Sequence, residues 1–549
     1  MALPIPKSGY SRFMKDGARH FKGADEAVSR NIEAIVELAH KMRTAFGPNG
    51  MNKMVINHIE KLFVTNDAAT ILNELEIQHP AARLLVLAAQ MQEKQIGDYT
   101  NSVVLFAADL LERAVECFHM GLKPVEVADA YDFAFKHIEK VLPGLVVREA
   151  VDLQNIEVVS EYLKASIASK QFDNQQIITD LVAKACVQTV PKNSASFVVD
   201  NIRICKILGA GVQNSRVMNG MVFKRGTEGS VKKIDNARVA VYSIPFEITQ
   251  TETKGTILMK NAEDLKSFAG NEESEVESHV QALADIGVNC VVAAGKFGDL
   301  YLHFLNKHNI MAVRLLSKFD LRRLCRSIRA QPQARICAPS VDQLGQCDRV
   351  YLEEIGDTDV TVFDKDSEHG NIATIIVRGS SQSRMDDVER AIDDAVNTYK
   401  SLTKDNKLLA GAGAIDMQLS ELVDELAKNK PGIEQYGIRR FGRALTILPK
   451  QLAKNNGHSP SVVLAKLITA HSKGKNTTGV NIVTGEPLDA VEHKIFDVYA
   501  GRMSALRLAT EAVSTILRVD QIIMSKQASG GPKPRNPLPQ DGGDDDGMA

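Results

Sequence analysis

The sequence predicts a multidomain α/β protein in which two helical end segments enclose an inserted α/β segment. Three observations predict it: a length of 549 residues, matching helical periodicity near both ends, and a strand–helix–strand succession in the middle. A chain of this length exceeds what one hydrophobic core serves, so several domains are expected.

Near the start, Val28, Ile32, Ile35, Val36, Ala39 and Met42 recur at helical spacing within 25–46, and the run stops at Gly47-Pro48-Asn49-Gly50. Helical stretches follow at 81–95, 102–119 and 124–141, and they return at 415–428, 439–454 and 502–517. Between them, 238–242, 289–293 and 310–313 are strand-like, with a short helix beginning near Asp299. That order suggests a small α/β unit inserted between helical halves. Mixed segments on either side, about 146–212 and 361–397, fit paired connectors. After Ser525 the chain turns Gly/Pro-rich and then acidic, a composition that buries no core and predicts a disordered tail over 527–549.

Charge and cysteine usage narrow the class. Lys and Arg number 66 against 68 Asp and Glu, a net charge of -2 that supplies no footprint for nucleic acid or an anionic membrane. The N-terminal residues lack the apolar core of a signal peptide, and no run of about 18 apolar residues occurs. A cytosolic location is expected. Seven scattered cysteines without a CxxC pair argue for buried thiols rather than disulfides or zinc.

Generic nucleotide and hydrolase signatures are missing: there is no GxxxxGK[ST], GxGxxG, HExxH or GxSxG. Three polar turns still carry the chemistry of a phosphate and metal site: Gly47 to Gly50, Thr65 to Thr70, and Gly97 to Ser102. Glycine lets backbone N–H groups approach phosphate, a helix N-terminus adds a favourable dipole, and a carboxylate such as Asp98 can hold Mg²⁺ against phosphate oxygens. Asp67 and Asp98 also suit ordinary helix caps, and local signals alone favour capping.

The segments GPNGMNKM (47–54), TNDAATIL (65–72), GDYTN (97–101), VRGSSQSRMDDVERAIDDAV (377–396), GAGAID (411–416) and LRVDQII (517–523) together resemble the signature set of the group II chaperonins, in family order. The resemblance covers essentially the whole chain. The stretches HPAARLLVLAAQMQE and VRLLSKFDLRRLC, and RVDQIIM followed by GGPKP, narrow it to one subunit type of the eukaryotic cytosolic ring.

The resemblance implies a chaperonin fold: an equatorial ATP-binding domain from 1–144 and 398–526, an intermediate hinge domain from 145–212 and 366–397, and an apical substrate domain at 213–365 with a lid protrusion near 251–270. It implies ATP and Mg²⁺ as ligands, with Gly47, Pro48, Gly97, Thr100 and Asn101 around the phosphates and Asp98 on the metal. Asp67 orders the attacking water, and Asp394 is the intermediate-domain aspartate that orients or deprotonates it. Lys170 senses the γ-phosphate, Gly411, Gly413 and Asp497 lie by the ribose, and Gly479 lies by the base. On its residues alone, Asp394 is one acid on an amphipathic helix.

The family likeness further implies a hetero-oligomeric double ring with other chaperonin subunits. It implies client proteins of the actin and tubulin class, co-chaperones such as prefoldin, and a client-facing helix carrying Leu321, Arg322, Cys325 and Arg326. Three departures stand out: Tyr99 replaces the second glycine of GDGT, Ala412 the middle glycine of GGG, and Ile415-Asp416 the usual Thr-Glu. A bulky Tyr99 is expected to narrow the phosphate loop. The expected activity is ATP hydrolysis driving lid closure. The alternative is a mainly structural subunit that holds nucleotide with little turnover.

Overall fold

The structure, a computed structural model, describes residues 24–191, 197–247, 262–365 and 372–520. The tail at 527–549 and the first part of the expected lid, 251–261, lie outside the described residues. Residues 262–270 open the helix Ala262–Asp285.

The α/β class is as expected, and the helical ends merge. The helices Ala24–Arg43, Pro80–Gln95, Thr100–His119 and Pro124–Val141 from the first half enclose one core with Ala414–Asn429, Glu434–Leu445 and Tyr499–Leu517 from the second. Phe441 sits at its centre, fully buried, with its ring 5.5 Å from Phe106 and 5.6 Å from Tyr131. The single helix expected over 439–454 is two, Glu434–Leu445 and Ile447–Asn455, joined at Thr446. Pro449 lacks the N–H that would continue the first helix, and the Thr446 hydroxyl donates to the Arg443 carbonyl at the break.

The connectors build a second core. Ile202–Leu208 pairs parallel with Ala373–Gly379, which pairs antiparallel with Arg216–Asn219. Helices Ile156–Ala168, Gln175–Thr189 and Gln382–Lys404 cover this sheet and bury Leu163, Ile178, Val388 and Tyr399. Gln382–Lys404 is one unbroken helix of 23 residues that leads from this second core back to the first.

The middle of the chain forms a six-stranded sheet. Lys233–Tyr242, Cys290–Ala293 and Met311–Arg314 run parallel with fully buried side chains at their centres, as strands covered on both faces must be. Gly345–Ile355, Thr358–Asp364 and Met221–Phe223 extend it antiparallel. Of the seven cysteines, six are buried and Cys337 is exposed, and none is bonded to another. Among the described residues no helix is long and apolar enough to cross a membrane.

Because both chain ends share the core around Phe441, Phe441→Ala is expected to lower stability by about 3–5 kcal/mol, read as an earlier denaturant midpoint. An unchanged midpoint would contradict a joint core.

Candidate nucleotide site

Where the first core meets the second, a cavity of about 430 Å³ opens between the two halves of the chain. Gly47, Pro48, Asp67, Asp98, Thr100, Asn101, Lys170, Gly413 and Asp497 line it, so nine of the residues singled out from the sequence converge.

Each is placed by a local device. Asp67 caps the helix Ala68–Glu74: its Oδ2 accepts from the Thr70 N–H at 3.0 Å and the Thr70 hydroxyl at 2.7 Å. Its other oxygen accepts from Lys170 Nζ at 2.8 Å, so the capping and site readings both hold for one side chain. Asp98 is held on both sides, by the Tyr99 N–H at 2.6 Å and the Ser166 hydroxyl at 2.9 Å. The helix Thr100–His119 begins at the cavity without a side-chain cap. Its dipole therefore faces the space where an anion would lie. Asn101 adds a buried Oδ1 with no hydrogen-bond partner.

Gly97 stands at φ +83°, and a Cβ there would lie 2.5 Å from the Asn397 Cβ. It shows why glycine is needed where this loop passes under the helix Gln382–Lys404, although Gly97 does not itself form the cavity wall. Gly479 behaves similarly: a Cβ would come 2.7 Å from the Ala412 carbonyl oxygen. Gly479 and Gly411 thus shape the backbone of the Ala412–Gly413 turn, which does form the wall. The strand Phe496–Val498 pairs with Lys407–Ala410 and so brings Asp497 beside that turn.

Asp394 is behind the wall rather than in it. Its carboxylate pairs with Lys170, which also holds Asp67. This ammonium is the one basic partner shared by two nearly buried carboxylates, with side chains 8% and 7% exposed. Burial lowers the Lys170 pKa, but the two aspartates outweigh it and hold the lysine charged. Burial raises Asp67, yet Lys170 and Thr70 overcome this and bring it to about 2. Asp394 moves the other way: burial and the charges of Asp98, Asp67 and Glu93 push it well above the usual carboxylate range despite Lys170. Asp98 is likewise raised by burial.

The carboxylates therefore outnumber the lysine, and an all-oxygen set of this kind suits a hard cation such as Mg²⁺. Among the described residues no group of three or more metal-ligating side chains occurs.

Several participants carry no motif of their own. Ser166 braces Asp98 and stands one helical turn before Lys170, an i, i+4 relation visible in the sequence. Glu93 is pushed to about 7 by burial and by Asp67. Arg502 pairs with Asp416 in the wall and lies 3.8 Å from Asp497. Only the fold brings these residues together.

Tyr99 does not simply narrow the loop. Its backbone takes the left-handed conformation at φ +67°, and its ring turns onto Gly501.

In the helix expected to face clients, Lys318–Ile328, Leu321 and Cys325 are buried against the six-stranded sheet, because its apolar stripe completes that core. Arg322 and Arg326 point outward, and the exposed apolar side chains nearby are Phe319 and Leu316.

A nested helical core, a connector sheet and an inserted α/β sheet around such a cavity are the architecture that the chaperonin resemblance implies, and the sequence comparisons show the family. Residues 38–527 match the model of the TCP-1/cpn60 chaperonin family, and the chain belongs to that family, in its group II branch. It is 64% identical over 549 residues to T-complex protein 1 subunit theta of Caenorhabditis elegans, with both chains covered completely. It is 50% identical over 537 residues to the theta subunit of Homo sapiens, covering 97% of this chain and 98% of the other. Theta is the subunit type to which the segments at 79–93 and 313–325 are similar.

A pH dependence follows from Glu93. Its folded pKa of about 7 lies above the ordinary 4.5, so the folded chain keeps a proton that the unfolded chain releases. Stability should therefore fall as pH rises from about 4.5 to 7. Glu93→Gln is expected to flatten this dependence in urea titrations across that range. A slope equal to that of the unaltered chain would count against it.

Proposed function

We propose that this chain is an ATP-hydrolysing subunit of a hetero-oligomeric double-ring chaperonin of the cytosol, which encloses and folds proteins of the actin and tubulin class. The observation that carries the reading is Lys170, contributed by the connector, bonded at once to Asp67 of the equatorial half and Asp394 of the long connector helix. It joins the nucleotide cavity to the element that would move.

On this reading, residues 1–144 and 398–526 form the ATP-binding domain, 145–212 and 366–397 the hinge, and 213–365 the client-binding domain. Asp98 holds Mg²⁺, which supplies positive charge against the phosphate oxygens. Gly47, Pro48, Thr100 and Asn101 surround the phosphates, with the helix dipole behind them. Asp67 orients the water. Asp394 takes its proton, a role that suits a carboxylate made more basic by burial and by its acidic neighbours. Lys170 has two carboxylate partners to exchange for a γ-phosphate. Gly413, Asp497 and the backbone shaped by Gly411 and Gly479 receive the ribose and base. Hydrolysis then biases the hinge and, through it, lid closure. Arg322 and Arg326, with Phe319 and Leu316, form the surface offered to acidic clients delivered by co-chaperones such as prefoldin.

The second reading, a nucleotide-holding ring member with little turnover, draws on Tyr99 and Ala412, which hold left-handed backbone at φ +67° and +54° where the family uses glycine.

In assembled rings, Asp394→Ala is expected to cut hydrolysis at this subunit by about 10²-fold or more while its pocket keeps nucleotide. Unchanged hydrolysis and lid closure would establish the second reading instead. Reversing charge at Arg322 and Arg326 to Glu should reduce crosslinking to acidic clients, and crosslinking at the original level would remove these arginines from the client surface.

A further inference from the structure

The geometry points to Tyr99 as a positioning residue that holds Asp497 toward the sugar of the nucleotide, so that this subunit's preference for a ribose with free hydroxyls depends on a phenol. This rests on the nucleotide reading of the cavity and adds a residue that reading does not use.

Position 99 demands left-handed backbone, φ +67° and ψ +13°, a conformation that disfavours a bulky side chain. A tyrosine persists there only if its ring gains contacts that offset the strain, and two are present. The ring packs on Gly501, where an added Cβ would come 2.5 Å from Tyr99 Cε2. Glycine at 501 is therefore the space the phenol occupies. The hydroxyl accepts from the Val498 N–H at 3.0 Å. Val498 directly follows Asp497, so this bond fixes the backbone that presents the Asp497 carboxylate.

A single phenol thus spans from the phosphate turn at Gly97–Thr100 to the strand Phe496–Val498, joining segments about 400 residues apart in sequence. Gln92 runs a parallel brace. Its amide donates to the Asp98 carbonyl at 3.0 Å and the Gly501 carbonyl at 3.4 Å, and its oxygen accepts from Ser504 at 2.7 Å.

Asp497 has a competing partner. Arg502 Nε lies 3.8 Å from its carboxylate and is buried with no hydrogen-bond partner. A buried guanidinium N–H in that state would capture Asp497 if the carboxylate were free to turn. By fixing the Val498 N–H, the Tyr99 hydroxyl holds the strand so that the Asp497 carboxylate stops at ion-pair distance from Arg502 and stays at the cavity wall.

The test uses assembled rings containing this subunit, photolabelled with 8-azido-ATP and read subunit by subunit by mass spectrometry. ATP and 2′,3′-dideoxy-ATP, which lacks both ribose hydroxyls, serve as competitors. Tyr99→Phe keeps the ring on Gly501 and removes only the hydroxyl. It should weaken competition by ATP about tenfold and leave dideoxy-ATP nearly unchanged, so the preference for ATP collapses. Gly501→Ala displaces the ring and should lose the same preference, which keeps the test available if the first variant does not assemble. A preference kept in the variants, or both competitors weakened equally as a merely structural role would cause, overturns the inference and leaves the nucleotide site standing. An unlabelled subunit in unmodified rings overturns the nucleotide reading and this inference with it.

Discussion

One ammonium group holds the site together. Lys170 lies among carboxylates from three separate stretches of chain, bonding Asp67 and Asp394 with Asp98 close enough to feel its charge. Removing the lysine would leave buried carboxylates facing each other without compensation, which is far more costly than a lost surface pair. Its position just beyond the helix Ile156–Ala168 adds an electrostatic tie to the apolar contact that Tyr162 of that helix makes with Phe496 and Val498. Electrostatic coupling of that kind can be redirected by a charged ligand, whereas a packed core cannot.

The nested chain path gives this contact its meaning. The equatorial core is built from both ends of the chain, so the connectors must leave and re-enter it side by side. Their shared sheet, with Ile202–Leu208 parallel to Ala373–Gly379, makes the two crossings one body. Gln382–Lys404 then runs from that body toward the cavity and carries Asp394 on its buried face. The inserted sheet has its own cores, with Leu321 and Cys325 in one of them.

Much of this was legible before folding was considered. Apolar spacing located the main helices to within a few residues, and Val239 to Tyr242 and Cys290 to Ala293 read as strands because both faces are apolar. Motif segments supply seven of the nine residues at the cavity wall, and the family resemblance supplies Lys170 and Asp497. The apolar stripe of Lys318–Ile328 packs on its own sheet while Arg322 and Arg326 stay exposed. One helix boundary differs from the periodicity for a physical reason. Pro449, which has no N–H to donate, splits the periodic run 439–454 into two helices.

What the sequence determined by itself is local and periodic: the helices and strands, the glycine and proline turns, the helix cap at Asp67, and a near-even charge balance. These depend on neighbours within a few positions, where spacing and residue type suffice. Tertiary structure alone decided the rest. It made Asp67 and Asp394 share Lys170, placed Gly501 to receive the Tyr99 ring, and paired Arg502 with Asp416. Each of these joins residues far apart in the chain, and the charge state of a buried group depends on the company the fold provides. No periodicity in the sequence encodes that company.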